Sequence, residues 1–331
     1  MPASWWKKLL LAPIVVLLLA LDVVRVEAQA TESPALCYAY LSSTKNRAID
    51  LYIACEGKHE RITSRGDFRD FAVSLDGSTL ALLRQLGKQK VRDSEGRLVT
   101  IHRYEKIQVV SLKPGFQTRW FPQVEGAVSL QPSCGTILAV GWIIYIRRPP
   151  SSWTYKTYNV LTGQRLSLPP YVDFACSADG NSVVGYLSGD RRALWAGRPP
   201  QRMTATAPRA GAVPSFDISP DGRYVAYCDF TTNGVASRVC LDRGGDDLGC
   251  VPSDTPEKIS VSDWGGLLYD NGTGGACPEG ACEGVYYWQA GTGQPRIVEP
   301  VGWHPQWITP DIAVALRAWK SHLSASGGLS K

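Results

Sequence analysis

The sequence predicts an all-β fold, a six-bladed β-propeller whose ring is closed by strands from both chain ends. Three observations predict it: alternating apolar runs around a Ser-x-Asp-Gly turn, the return of that unit along the chain, and strand candidates left over at both ends. The clearest copies are FAVSLDGSTLALL (71–83), FACSADGNSVVGY (174–186) and FDISPDGRYVAY (216–227). Weaker copies are VSLQPSCGTILAV (128–140), ISVSDWGGLLYD (259–270) and QWITPDIAVAL (306–316).

One copy of the unit has the chemistry of an antiparallel hairpin. Alternation with a period of two places Phe216 and Ile218 on one face of a half-buried strand. Pro220 then fixes φ, Asp221 accepts backbone N–H groups, and Gly222 tolerates a positive φ. Each copy is therefore predicted to form two strands joined by a tight turn.

The spacing of the copies predicts the architecture. The turn returns every 42 to 58 residues along the chain. A period of roughly 40–50 residues with four short strands is typical of a propeller blade. The second half of each period supplies two more strand candidates, such as SRVCLD and CVP on either side of RGGDD. This predicts five whole blades between Phe68 and Pro300.

Both chain ends supply strands for a sixth blade. LCYAYL, AIDLYIAC and HERIT follow one another within residues 35–63, and WHPQWIT near the C-terminus resembles an innermost strand. Pairing them would close the ring and remove exposed edges. Thr309-Pro310-Asp311 also has the pattern of a helix start. Residues 310–323 are therefore predicted to be either the second strand of the closing blade or a short helix.

The first 30 residues are predicted to be a secretory signal peptide. Two lysines precede an apolar run, and Ala28-Gln29-Ala30 fits a small-x-small cleavage site. The predicted organisation is a signal peptide at 1–30, a propeller at 31–323 and a flexible tail at 324–331. The protein is thus expected to be exported, to the periplasm or outside the cell. An uncleaved signal anchor is the alternative, and it is the only membrane contact expected.

The net charge limits the kinds of partner expected, and the cysteine content indicates the cellular compartment. The net charge is +5 and no long basic run concentrates it, so nucleic acid is not expected as a partner. Nine cysteines in an exported chain favour disulfides, with one cysteine left over. The candidate pairs are Cys277 with Cys282, Cys240 with Cys250 (or with Cys228), Cys37 with Cys55, and Cys134 with Cys176.

Polar residues near the starts of innermost strands are the candidate ligand-binding residues at the channel mouth. Asp70 and Asp173 both lie seven residues before a turn glycine, Asp217 lies five before one, and His304 begins the last innermost strand. The alternative is that these carboxylates bind backbone N–H groups of the adjacent blade and that His304 is a satisfied polar residue. Carboxylates so placed could also hold Ca²⁺, but no other cofactor is expected. No catalytic residue is assigned.

The turn also carries a family resemblance. ISPDGRYVAY resembles the Ser-Pro-Asp-Gly signature of TolB-type, WD-repeat-like bacterial propellers, and SLDGSTLAL and SADGNSVVGY resemble degenerate copies of it. The resemblance implies a six-bladed propeller with a non-catalytic binding role in the cell envelope. Similar propellers precede the hydrolase domain of prolyl-oligopeptidase-like peptidases, but this chain has no Gly-x-Ser-x-Gly elbow.

These observations predict an exported, non-catalytic scaffold that binds a protein or peptide ligand at a mouth of its central channel. The alternative function is a six-bladed propeller enzyme, of the lactonase or quinone-dehydrogenase kind, that uses a channel cation. The first prediction follows from a complete ring without a catalytic constellation and from loops clustered where propellers bind.

Overall fold

The structure is a computed structural model, and every element below lies in its compact unit Cys37–Lys331. It describes residues 36–43, 49–64, 68–92, 96, 98–121, 127–134, 137–144, 152–159, 164–187, 190–203, 215–230, 236–253, 256, 258–271 and 284–325. The predicted signal peptide and the Cys277–Cys282 pair lie outside these residues.

The described chain forms twenty-four strands and one helix. The first seven strands are β1 (Cys37–Ser43), β2 (Ile49–Cys55), β3 (Lys58–Arg61), β4 (Phe68–Val73), β5 (Thr79–Arg92), β6 (Leu98–Ser111) and β7 (Thr118–Trp120). The next eight are β8 (Ala127–Ser133), β9 (Ile137–Ile144), β10 (Ser152–Asn159), β11 (Arg165–Leu166), β12 (Tyr171–Cys176), β13 (Val183–Leu187), β14 (Asp190–Ala196) and β15 (Gln201–Arg202). The last elements are β16 (Phe216–Ile218), β17 (Tyr224–Phe230), β18 (Ala236–Arg243), β19 (Asp246–Pro252), β20 (Ile259–Val261), β21 (Gly266–Asp270), β22 (Val285–Gln289), β23 (Arg296–Glu299), β24 (Trp303–Trp307) and α1 (Pro310–Ala325).

The strands form four-stranded antiparallel sheets in a propeller arrangement. Five sheets are blades of contiguous chain, namely β4–β7, β8–β11, β12–β15, β16–β19 and β20–β23. A further sheet is composite, because β24 pairs with β1 and is followed outward by β2 and β3. The first strands of successive sheets contact one another, and β24 contacts both β20 and β4. The predicted all-β propeller arrangement is therefore confirmed.

The up-and-down order of the strands gives the propeller two different faces. We call the side on which the first strands begin the start face; Phe68, Lys258 and Trp303 lie there. The opposite side, the turn face, carries the Ser-x-Asp-Gly turns between the first and second strands of a sheet. Second strands end and third strands begin at the start face, and fourth strands also end there.

The Ser-x-Asp-Gly turn is built as the sequence predicts. Ser219 Oγ donates to Asp221 Oδ1 at 2.7 Å, and the Arg223 N–H donates to the same oxygen at 3.0 Å. The N–H of Gly222 donates to the Ser219 carbonyl at 2.8 Å, with φ at +76°. The turns that begin at Ser74 and Ser177 repeat these bonds. The Asp221 carboxylate therefore accepts its hydrogen bonds from groups of its own turn.

The C-terminal segment is a helix, so the last weak copy of the unit is not a hairpin. Thr309 caps α1 by accepting the Ile312 N–H on Oγ1 at 3.3 Å. Ile312, Leu316 and Trp319 are buried at helical spacing and join a core cluster that also contains residues of β1, β2 and β4. The segment has no glycine after its Asp, and this helical periodicity decides between the two alternatives. The helix therefore packs on the composite sheet at the turn face.

Three cysteine pairs are bonded among the described residues. Cys37 joins Cys55 and Cys240 joins Cys250, each directly across two neighbouring strands. Cys134 joins Cys176 between adjacent blades. Cys228 is buried and free, so its alternative pairing with Cys240 is wrong. The predicted pairs within the described residues are confirmed.

The β5–β6 hairpin is much longer than its blade, and no element was predicted over residues 85–105 from the sequence. Pairing of β4 with β5 ends at Phe68 opposite Arg84, whereas β5 and β6 continue to pair as far as Arg92 and Leu98. Residues 85–92 and 98–104 pair in the described register only with each other. This two-stranded extension, which we call the ribbon, leaves the blade at the start face.

Candidate functional site at the start face

Asp70 is the centre of a buried polar cluster close to the start of β4. Its side chain is fully buried. Oδ2 accepts the N–H of Leu130 from the neighbouring blade at 2.5 Å, and Oδ1 accepts the N–H of Phe71 at 2.7 Å. Oδ1 also lies 3.0 Å from Lys258 Nζ and 3.1 Å from His304 Nδ1. One carboxylate thus meets groups from four sheets.

Lys258 reaches Asp70 past an intervening sheet. It directly precedes β20, whereas Asp70 belongs to β4. The strand β24 lies between these two strands and contacts both of them. Its Nζ also donates to the Phe71 carbonyl at 2.5 Å and lies 4.8 Å from the centre of the Phe71 ring. Lys258 is only 7% exposed, so its charge is nearly removed from water. A charge so placed requires an anionic partner.

Asp270 fixes the other side of this cluster. Its Oδ1 accepts the backbone N–H of Lys258 at 2.9 Å, and its Oδ2 accepts the backbone N–H of His304 at 2.7 Å. His304 has a positive φ of +53°, which is uncommon for a residue with a side chain. The bond to Asp270 helps hold the His304 backbone in that conformation. We call Asp70, Lys258, His304 and Asp270 the seam cluster.

The seam cluster keeps Asp70 ionised. Burial raises the pKa of a carboxyl group, but the charges of Lys258 and His304 and the hydrogen bonds from His304 and Leu130 outweigh it. Together they lower the pKa of Asp70 to about 2. At neutral pH the cluster is therefore a carboxylate between positively charged or hydrogen-bonding groups. It offers neither a free general base nor an activated nucleophile.

The structure brings two of the four predicted site residues together. Asp70 and His304 are in contact in the seam cluster, whereas Asp217 lies apart in β16 and accepts the N–H of Val261 from the next blade at 3.0 Å. Asp173 lies in β12 opposite Tyr186. The interactions of Asp70 and Asp217 with backbone N–H groups of adjacent blades match the structural alternative posed for them. Whether any of the four binds a ligand stays a prediction.

Lys258 and Asp270 belong to this candidate site but were not predicted from the sequence. Neither lies in the repeated turn, and Lys258 is 188 residues from its partner Asp70. A signal was present, because Lys258 directly precedes an innermost strand and Asp270 ends the strand paired with it. Aligning strand starts as well as turn glycines would have placed Lys258 at the start face, where β20 begins.

Large apolar side chains are exposed close to the start face. Trp120, at the end of β7, is 46% exposed, and Val301, between β23 and β24, is 43% exposed. The Arg84 guanidinium lies 5.7 Å from the centre of the Trp120 ring. Exposed aromatic and Arg side chains are typical of surfaces that bind other molecules.

The described residues contain no group of three or more His, Cys, Asp or Glu that would suit a metal ion. The expectation concerning Ca²⁺ therefore remains a prediction. Among the described helices, none has the length and apolar character needed to cross a membrane.

The comparisons with known proteins give structural likenesses alone. No family model and no curated protein matches the chain. A putative TolB from Agrobacterium tumefaciens is similar over 84% of this chain and 100% of that chain, with 11% identity and a TM-score of 0.43. A functionally unknown protein from Desulfotomaculum acetoxidans DSM 771 is similar over 79% of this chain and 78% of that chain, with 12% identity and a TM-score of 0.39. At these values neither likeness carries an argument about function.

Proposed function

We propose that this chain is an exported, non-catalytic propeller that binds a protein or peptide ligand at the start face. The proposal rests on the contacts of Asp70. Its carboxylate accepts hydrogen bonds from two backbone N–H groups and lies beside Lys258 Nζ and His304 Nδ1. A carboxylate held in this way is suited to fixing the ring rather than to moving protons during a reaction. We therefore assign ligand binding to exposed residues of the start face, which we call the rim, rather than to the predicted carboxylates Asp70, Asp173 and Asp217.

The rim of the start face offers suitable groups for a protein or peptide. Trp120 presents an aromatic surface beside the Arg84 guanidinium, and Val301 adds an apolar group from the connection into the composite sheet. Trp and Arg are enriched among residues that dominate binding energy in protein interfaces. An extended peptide with an apolar or aromatic side chain fits this chemistry.

We also propose that the composite sheet acts as a sixth blade and closes the ring. Its first strand, β24, contacts the first strands on both sides, and the seam cluster joins it to the sheets that precede and follow it. Closure of this kind protects sheet edges. A closed ring would hold the rim residues in fixed relative positions.

Export is proposed from the cysteine pairs together with the N-terminal sequence pattern. Two described pairs lie directly across neighbouring strands, and a third joins adjacent blades. Disulfides persist in oxidising compartments and are rare in the cytosol. The periplasm or the extracellular space would maintain them.

Site-specific photo-crosslinking in living cells tests the ligand proposal. A photoreactive amino acid replaces Trp120 or Val301 at the start face, and Val314 serves as the matched control. Val314 is 60% exposed but lies on α1 at the turn face. We expect a discrete crosslinked species from the two start-face positions and none from Val314. Equal crosslinking at all three positions, or crosslinking at Val314 alone, would place the interaction elsewhere.

A further inference from the structure

Three polar side chains meet at the junction between the composite sheet and the blade formed by β20–β23. Tyr40 lies in β1 and His59 in β3 of the composite sheet, whereas Glu299 ends β23 of the blade. His59 Nδ1 lies 3.0 Å from the Tyr40 hydroxyl oxygen and 3.1 Å from Glu299 Oε2. The Tyr40 hydroxyl also hydrogen bonds with the Glu299 carboxylate. We call these three residues the interblade triad.

The surrounding structure holds the triad in place. The Tyr40 ring stacks on the Tyr52 ring with their centres 5.6 Å apart, and Tyr40 is only 2% exposed. Gly302 packs against the triad, because a methyl group added there would lie 2.7 Å from Glu299 Cγ and 2.9 Å from Tyr40 Cδ2. A residue with a side chain would therefore push Tyr40 and Glu299 out of position. Donor atoms that are fixed in advance bind an ion with a smaller loss of entropy.

The spacing of the three donor atoms suits a metal ion. Bonds from a metal to His nitrogen and carboxylate oxygen are about 2.0–2.2 Å long, so two such ligands at right angles lie about 3.0 Å apart. The measured distances from His59 Nδ1 are 3.0 and 3.1 Å. The side chain of His59 is 42% exposed and that of Glu299 is 15% exposed, so an ion can approach from solvent. Because Tyr40 supplies one donor, the triad is not a group of His, Cys, Asp and Glu alone.

Tyr40 determines which metal fits. Burial and the hydrogen bond with the Glu299 carboxylate raise the pKa of Tyr40 well above its ordinary value. A weakly polarising ion such as Ca²⁺ or Zn²⁺ would not displace this phenolic proton, whereas a ferric ion binds phenolate strongly. A bound cation of high charge deprotonates its ligands, and metal binding then releases protons. One proton passes from Tyr40 to water as the iron–oxygen bond forms, and nothing is oxidised or reduced.

We propose that the interblade triad binds a ferric ion through the Tyr40 phenolate, the His59 imidazole and the Glu299 carboxylate. Two anionic ligands leave the site with a single positive charge, so water or a small anion fills the remaining positions. The bound ion would join the composite sheet to the neighbouring blade. This proposal departs from the expectation that Ca²⁺ is the only cofactor to consider, and it does not depend on the proposed protein or peptide ligand.

Titration of the full chain with ferric nitrilotriacetate tests the proposal. Charge transfer from a bound phenolate to ferric iron gives an absorption band in the visible range. We expect one such band that saturates at one ion per chain. The midpoint of thermal unfolding should rise with it, because an ion that binds only the folded chain stabilises the fold. Zn²⁺ at the same concentration is the comparison, and it should raise the midpoint less.

Substitutions within the triad locate the ion. Tyr40→Phe should abolish the visible band, whereas the matched control Tyr52→Phe removes the hydroxyl group of the ring stacked on Tyr40 and should keep it. His59→Gln should weaken iron binding by more than the roughly 10–100-fold that the loss of an outer partner costs. Its control His322→Gln changes an exposed His on α1 and should bind iron like the wild type.

A triad that is only hydrogen bonded gives a different result. Tyr40→Phe would then lower the unfolding midpoint equally with and without iron, and the wild type would show no visible band. Either outcome would overturn the proposal, as would a band of undiminished strength in Tyr40→Phe or equal stabilisation by Zn²⁺. If Tyr40→Phe does not fold, Glu299→Gln provides the same test. Glu56→Gln, which changes an exposed carboxylate beside β3, is then the control.

Discussion

Asp70 shows what a buried carboxylate needs in order to stay ionised in this fold. A buried carboxylate is costly unless hydrogen bonds and an opposite charge compensate it. Asp70 has both, from two backbone N–H groups and from Lys258. Its alignment with Asp173 in the repeat predicted a position close to the start of an innermost strand, and that position is confirmed. Lys258 was not predicted, because it lies outside the repeated turn and its contact with Asp70 joins residues 188 positions apart.

Removing the charge of Asp70 should strongly destabilise the fold. In Asp70→Asn the ammonium of Lys258 remains buried without its anionic partner, which typically costs about 3–5 kcal/mol. The free energy of unfolding in urea measures the loss. Asp229→Asn is the matched control, because Asp229 pairs with Arg238 at the surface and such pairs contribute about 1 kcal/mol or less. Equal losses in the two variants would show that the seam cluster does not stabilise the ring.

The same carboxylate should make stability depend on pH in the acid range. The pKa of Asp70 in the fold is about 2, with burial opposed by the charges of Lys258 and His304, whereas an unfolded Asp titrates near about 3.9. A lowered folded pKa stabilises the fold above about pH 4, and this stabilisation is lost as the pH falls towards about 2. A shift of this size contributes about 2–3 kcal/mol. Urea unfolding across this range should show the difference between wild type and Asp70→Asn shrinking at low pH, and a constant difference would contradict the assignment.

At the scale of elements, the hairpins and their turns could be predicted from the sequence, but the lengths of the strands could not. The hairpins follow from alternation and from the Ser-x-Asp-Gly turn, whose bonds all lie within a few residues of Ser219. The helical spacing of Ile312, Leu316 and Trp319 also lies in the sequence, but a strand remained an equal alternative until packing on the composite sheet decided it. The ribbon was missed because its alternation of Lys and Arg with Val resembles a solvated loop when its partner strand is unknown.

The turn glycines Gly180 and Gly222 share one backbone conformation, but they should differ in how well they tolerate substitution by alanine. Gly222 and Gly180 both have a positive φ, so an alanine at either position should cost roughly 1–2 kcal/mol. At Gly222 the added methyl group would lie 2.6 Å from Cβ of Ser182 in the preceding blade, whereas at Gly180 nothing lies within 4 Å. Gly222→Ala should therefore cost about 1–3 kcal/mol more than Gly180→Ala.

Thermal and urea unfolding of these two variants provide the comparison. Similar losses would mean that adjacent turns on the turn face separate easily and that the blades are not tightly packed there. A larger loss for Gly222→Ala would identify the contact between the turns at Ser177 and Ser219 as part of the packing between blades. The glycine would then be required by its neighbour as well as by its φ.

At the scale of the whole molecule, the first and last of the described strands belong to one sheet. Tyr38 in β1 pairs with Trp307 in β24, and the Ile308 N–H donates to the Cys37 carbonyl at 3.1 Å. The sequence predicted this pairing because strand candidates without partners remained near both ends. It did not predict that α1 would pack on this sheet at the turn face, or that the seam cluster would link β24 to β4 and β21 at the start face. The contacts of Asp70 with Lys258 and His304 join residues 188 and 234 positions apart, which no local pattern reveals.

Deleting the last innermost strand should therefore affect the entire ring rather than one blade. A chain that ends at Pro300 lacks β24 and α1, and its core cluster loses Ile308, Leu316 and Trp319. Asp270 and Asp70 also lose their bonds to His304. We expect a broad unfolding transition with a reduced urea m value, since m follows the surface exposed on unfolding. A chain that ends at Ala325 keeps every described element and is the control, and it should unfold like the full chain. If the chain that ends at Pro300 unfolds with an unchanged midpoint and m value, the blades are stable without closure, and the composite sheet is an attachment rather than the part that completes the ring.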